Sequence, residues 1–141
     1  MAQAKHRKTS GPIAALPKDV LDSEDYISLS FSSRALLFEF ARQYTLKNNG
    51  KLCATFSQLK PRGWGSEDTL RRGIKELESK NLIMLTKRGM YGNGRREPNF
   101  YALTFHKIDL IEGFEIDVNP TKTAPRKFSF EVRGINYKQA A

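Results

Sequence analysis

Ser66-Glu67-Asp68-Thr69-Leu70-Arg71-Arg72-Gly73-Ile74-Lys75-Glu76-Leu77 is the stretch whose periodicity decides the fold. At 100° per residue, Leu70, Ile74 and Leu77 share one face, with Gly73 at its edge. Asp68, Arg72 and Lys75 fall opposite, flanked by Thr69 and Arg71. Ser66 has the side chain of an N-cap, and Glu67 and Asp68 suit the positive end of a helix. The spacing predicts a helix from Glu67 to about Lys80, ended by Asn81. Gly73 costs roughly 1 kcal/mol relative to alanine inside a helix. Close approach by a neighbouring helix would offset that cost.

Downstream, Leu82–Thr86 and Phe100–Phe105 have the composition of strands. The basic, glycine-rich segment between them contains Asn93-Gly94, a hairpin turn signal. Upstream, Thr55 or Ser57 caps a short helix through Phe56, Leu59 and Lys60, which Pro61-Arg62-Gly63-Trp64-Gly65 ends and turns. Leu52-Cys53-Ala54 reads as a brief strand. A longer helix is expected over Arg34–Tyr44, capped by Ser32 or Ser33, with Ala35, Leu36, Phe38, Phe40 and Ala41 as its apolar face. Asn48-Asn49-Gly50 breaks the pattern. The order is helix, short strand, helix, turn, helix, strand, basic loop, strand. It predicts an α+β domain over residues 13–108, a three-helix core with a helix-turn-helix unit followed by a β-hairpin wing.

The 141 residues are 39% hydrophobic, enough for one modest core. Lys and Arg number 24 against 15 Asp and Glu, a net charge of +9. That excess favours a polyanionic partner, because phosphate contacts release counterions. Cys53 is the single cysteine, so an intrachain disulfide is excluded and a reducing compartment is expected. Apolar runs fall far short of the ~20 residues of a membrane span. The basic N-terminal stretch lacks the apolar core of a secretory signal, so a cytoplasmic location is expected.

Motifs of catalysis are missing. There is no phosphate-binding Gly-x-x-x-x-Gly-Lys loop, and Gly92-Asn93-Gly94 continues as Arg95-Arg96-Glu97, which leaves the dinucleotide glycine pattern incomplete. His6 and His106 are far apart and, with one cysteine, make a poor metal set. No catalytic residue, metal, cofactor or small-molecule substrate is expected. His106 reads as structural, Cys53 as a buried small hydrophobe and Trp64 as core filler.

Ser66, Asp68, Thr69, Arg71, Arg72 and Lys75 are the candidate contacts of a helix laid in a major groove. Arginine bonds bidentately to guanine or phosphate, aspartate accepts from cytosine, and threonine offers a methyl to thymine. Lys87, Arg88, Asn93, Arg95 and Arg96 are the candidate contacts of the hairpin, on phosphates or in a minor groove. Tyr91 either stacks there or covers apolar surface. Residues 1–12 form a polar, basic tail, expected to be disordered, whose Lys5, Arg7 and Lys8 are either solvated or a phosphate arm. Residues 109–141 form a strand-like extension. In it Phe114, Ile116 and Val118 alternate with acids, and Phe128, Phe130 and Val132 repeat the alternation. Such strands either pack back on the domain or pair two copies of the chain.

Thr69-Leu70-Arg71-Arg72-Gly73-Ile74-Lys75-Glu76-Leu77, followed by Asn81-Leu82-Ile83, resembles the winged-helix signature of bacterial regulators. The longer stretch from Ala15-Leu16-Pro17 through Arg34-Ala35-Leu36-Leu37, Asn48-Asn49-Gly50, Arg62-Gly63-Trp64 and Tyr101-Ala102-Leu103-Thr104 is similar to small helix-turn-helix proteins of bacterial phages and mobile elements. It also resembles the winged-helix part of plasmid and phage replication initiators. The resemblance covers roughly residues 13–108 and implies sequence-specific binding of double-stranded DNA, in a bacterial or phage-infected cell. The mid-helix arginine maps onto Arg72 and the cap onto Ser66. Glu67-Asp68 departs from a purely basic recognition helix. Three roles stay open: a transcriptional regulator, a replication or partition accessory at iterated origin sites, and a protein-interaction module that touches no DNA.

Overall fold

Three serines in four residues, Ser30, Ser32 and Ser33, compete to start the long helix, and tertiary contact decides between them. In a computed structural model that describes residues 11–92 and 94–130, Ser30 takes the cap. Its hydroxyl accepts from the Ser33 N–H at 3.2 Å, and its own N–H donates to the Glu76 carboxylate at 2.8 Å. Two single-turn helices precede it, α1 (Lys18–Leu21) and α2 (Glu24–Ile27), so the helix α3 runs Phe31–Gln43. The expected start at Arg34, capped by Ser32 or Ser33, is three residues late. The expected apolar face is also corrected. Leu36, Leu37, Phe40 and Ala41 are buried with Ser33, whereas Ala35 and Phe38 turn outward with Phe31 and Arg42. Positions 33, 36, 37, 40 and 41 make one stripe at 3.6 residues per turn; 31, 35, 38 and 42 make the opposite one.

Beyond α3, Leu52–Ala54 is not a strand. Leu52 makes one reciprocal backbone bridge to Tyr101, and the Gln43 amide clips the Cys53 backbone from the side. Cys53 is half-buried rather than buried, and that burial pushes its thiol pKa up. Then come α4 (Phe56–Leu59), a 3-10 turn (Lys60–Arg62) and α5 (Glu67–Ser79). Asn81, at φ 54°, lets the chain leave α5 in the left-handed conformation. The Leu82 N–H then reaches the Leu77 carbonyl at 2.9 Å and the Asn81 N–H reaches Glu78 at 3.0 Å, so the last carbonyls are satisfied.

Two small antiparallel sheets follow. Strand β1 (Ile83–Lys87) pairs with β4 (Phe100–Leu103), with Ile83 opposite Leu103. Between them β2 (Tyr91–Gly92) pairs with β3 (Arg95–Arg96) as a short hairpin. The chain is thus α+β. Its core joins Leu36, Leu37 and Phe40 of α3, Leu59 of α4, Leu70 and Leu77 of α5, and Leu82, Ile83, Tyr101 and Leu103 of the sheet.

The extension after residue 108 departs from expectation. Phe114 to Val118 forms no strand, and Phe128–Phe130 is a 3-10 turn. Val132 lies outside the described residues. The chain instead straps the domain through single hydrogen bonds: Asp117 N–H to Thr86 O at 2.6 Å, Thr121 N–H to Ile108 O at 3.0 Å and Arg126 N–H to Thr104 O at 3.0 Å. The Arg126 guanidinium donates to the carbonyls of Lys80 and Asn81 and pairs with Asp25 at 2.6 Å. Phe128, buried beside it, meets Phe105 edge to face. The chain thus holds the domain at separated points, through Asp117, Thr121, Arg126 and Phe128, rather than as a paired strand.

His106 stacks on Tyr44 with ring centroids 4.4 Å apart. Burial lowers its pKa below the ordinary 6.5, opposed by the charge of Asp109. A depressed imidazole pKa means the unfolded chain binds the proton first, so stability present above pH ~6.5 is lost as pH falls below it. Urea unfolding midpoints should drop between pH 7.5 and 5.5, and His106→Gln should flatten that dependence.

Candidate nucleic-acid interface

The placement of α5 is fixed from behind. Gly73 lies under Leu36, whose Cδ2 sits 3.1 Å from where a Cβ would be, so α3 and α5 pack closely and a side chain at 73 would make Leu36 give way by a few tenths of an ångström. The turn before α5 uses Gly63 at φ 100°, and Arg62 pairs with Glu39 of α3 at 2.6 Å. That hydrogen bond to Glu39 is the main reason the Arg62 pKa is raised. Trp64 is half-buried against the core. Ser66 caps α5 as expected, its hydroxyl accepting from the Thr69 N–H at 3.2 Å.

With Leu70, Gly73 and Leu77 turned inward, Asp68, Arg71, Arg72 and Lys75 are exposed along the outer side of α5, and Thr69 is half-buried. Asp68 takes both arginines, with Oδ1 3.4 Å from Arg71 and Oδ2 3.4 Å from Arg72. These exposed pairs are weak and are readily exchanged for phosphate.

The hairpin is brought beside this helix. Arg71 of α5 and Arg96 of β3 line one open groove of about 530 Å³, together with Thr55, Ser57, Ile74 and Asn99. Arg88 and Arg95 are exposed on the hairpin's outer arms. Lys87 belongs elsewhere than the tip. It ends β1 half-buried, with Nζ 4.8 Å from the Phe114 ring centre, a ring that Lys51 approaches at the same distance. Asn93 of the turn lies outside the described residues, as do Lys5, Arg7 and Lys8 of the tail.

Thr55, Ser57 and Asn99 were not anticipated as groove residues. Thr55 was legible only as a cap, a role it keeps by accepting from the Gln58 N–H at 3.2 Å. Asn99 carries no sequence signal, because its place depends on the hairpin folding back. Its side chain accepts from the Gly89 N–H at 2.6 Å. Gly89 is pinched at the hairpin neck, where a Cβ would stand 2.1 Å from the Glu97 carbonyl oxygen. Gly89→Ala should therefore splay the neck. The expected result is faster hydrogen exchange over residues 88–97 with the core's unfolding midpoint preserved, read by mass spectrometry and urea titration on the same sample.

Among the described residues, no group of three His, Cys, Asp or Glu is arranged to hold a metal ion, and no helix is long and apolar enough to cross a membrane. Comparison with protein-family models, characterised proteins and solved structures finds no match to this chain.

Proposed function

We propose that the chain is a winged-helix protein that binds double-stranded DNA sequence-specifically, without catalysis. In this reading α5 enters the major groove and the β2–β3 hairpin grips the adjoining backbone or minor groove. The observation that carries it is the shared groove of Arg71 and Arg96, in which a capped, outward-facing helix and a basic hairpin offer cations to one ligand. The net charge of +9 supplies the long-range attraction. The role in this reading is that of a transcriptional regulator of a phage or mobile element. Footprinting separates it from a replication or partition accessory, by one palindrome against an iterated array.

Fluorescence anisotropy with a random duplex across a salt series tests the proposal. Arg71, Arg72, Lys75, Arg95 and Arg96 on phosphates would give a log–log slope of about −4 to −5. Absence of binding at low ionic strength would contradict it.

A second reading, a protein-interaction module, is favoured by Ile27, Phe31 and Phe38, which stand exposed on α2 and α3 away from the core. Salt-independent behaviour toward duplex, with association of the chain reversed by Phe31→Ser, would favour it.

A further inference from the structure

We propose that Tyr91 of the hairpin is a wedge: its ring presses into a base-pair step and unstacks it, while Arg95 and Arg96 hold the flanking phosphates. This rests on the duplex-binding reading above and adds what the protein does to the DNA.

Exposure is the first observation. Tyr91 is 80% exposed, a large ring on a hairpin whose other described residues are glycine and arginine. A tyrosine that served as a cover would be half-buried against the body, as Tyr26 and Tyr44 are. Instead its ring leaves apolar area in water, a state that contact with base faces would end.

Placement is the second. Tyr91 is the cross-strand partner of Arg96, and Gly92 that of Arg95. Cross-strand partners share a face of the ribbon, so the ring stands beside a guanidinium. Arg96 also lines the groove with Arg71, and Tyr91, its cross-strand partner, stands at the edge of that groove rather than in its lining. Gly92 has nothing within 4 Å of its would-be Cβ and leaves room for a backbone opposite Arg95.

Support is the third. A wedge works only if its base does not yield. The neck is held by the Gly89 pinch against Glu97 and Pro98 and by the Gly89 N–H on the Asn99 side chain. The Glu97 N–H donates to the Met90 carbonyl at 3.0 Å, and the Arg88 N–H to Asp117 of the C-terminal strap at 3.3 Å. The strap thus braces the wing from outside the sheet.

Unstacking is cheapest at pyrimidine–purine steps and dearest in A-tracts. A wedge would read that difference without a base-edge hydrogen bond. The test uses the full chain and two sets of duplexes, one with a central TA step and one with an A-tract, each carrying 2-aminopurine at successive positions. The wild-type chain is expected to raise the fluorescence at one position of the TA duplex and to prefer that duplex about ten-fold. Tyr91→Ala, at an exposed position, should abolish the rise and the preference while keeping the salt slope and the unfolding midpoint, whereas Met90→Ala, next to it on the opposite face of the ribbon, should keep all four. A silent probe at every position with wild-type chain bound, or a Tyr91→Ala variant that behaves as wild type, would overturn the wedge and leave the duplex reading standing. A wild-type chain that ignores both duplexes at low salt would sink both.

Discussion

Asn49→Leu is expected to remove more than about 3 kcal/mol of stability, since each buried polar group left unpaired costs about 1–3 kcal/mol. Asn49 is completely buried where α3's trailing loop meets the end of β4. Its Nδ2 donates to the carbonyls of Leu103 at 3.0 Å, His106 at 3.2 Å and Lys107 at 2.8 Å, and its Oδ1 accepts from the Leu103 N–H at 2.8 Å. Its own N–H reaches the buried Asp109 carboxylate at 2.9 Å. Leucine has nearly the right volume and none of the partners. It would take the Asn49 partner from four backbone groups, of which the Leu103 carbonyl keeps the His106 N–H at 3.4 Å, where the chain leaves the sheet and the C-terminal strap begins. Urea denaturation followed by tryptophan fluorescence measures the loss. A change below about 1 kcal/mol, the worth of a single ordinary hydrogen bond, would show that this junction is not the clamp the geometry implies.

Arg71→Ala/Arg96→Ala is the functional counterpart. The two side chains come from different elements and meet in one groove, so removing both should cut duplex affinity by about 100-fold or more, at 1–3 kcal/mol per lost contact. The salt slope should fall by about 2 if both contacts are to phosphate. Both residues are exposed and the core does not need them, so the unfolding midpoint should hold. Arg71→Lys/Arg96→Lys keeps the charge and discards the planar fork. Restored slope with reduced sequence preference would assign the pair to base or bidentate recognition. An unchanged affinity in the alanine pair would take this groove out of the interface.

Much of the molecule was legible because local and tertiary signals agreed. The Ser66 cap, the inward Leu70–Leu77 stripe, Gly73 as the point of close helix approach, and Asn81 as the helix stop each arise from residue chemistry that the surroundings do not contest. Misreadings fell where tertiary contact decides. Glu76 draws the start of α3 back to Ser30, and Leu37 rather than Phe38 faces the core because it shares the stripe of Ser33, Leu36, Phe40 and Ala41. Lys87 looked like a wing residue from its neighbours in sequence, but Phe114, 27 positions on, holds its ammonium at the wing's base. The alternation of Phe114, Ile116 and Val118 has the period of a strand. The edge of β4 is already bridged to Leu52, and on β1 the stretch makes a single backbone bond, Asp117 N–H to Thr86 O, in place of a ladder. The groove itself was invisible, because Thr55, Arg71, Arg96 and Asn99 converge only once the hairpin packs beside α5.

Hydrogen-exchange mass spectrometry of the full chain, with and without saturating duplex, tests the grip of helix and hairpin most directly. Exchange is predicted to slow together in peptides covering residues 66–75 and 88–97, with α3 and the strap at 109–130 unchanged. Protection confined to the Phe31–Arg42 face of α3, or no protection anywhere at saturation, would contradict the account.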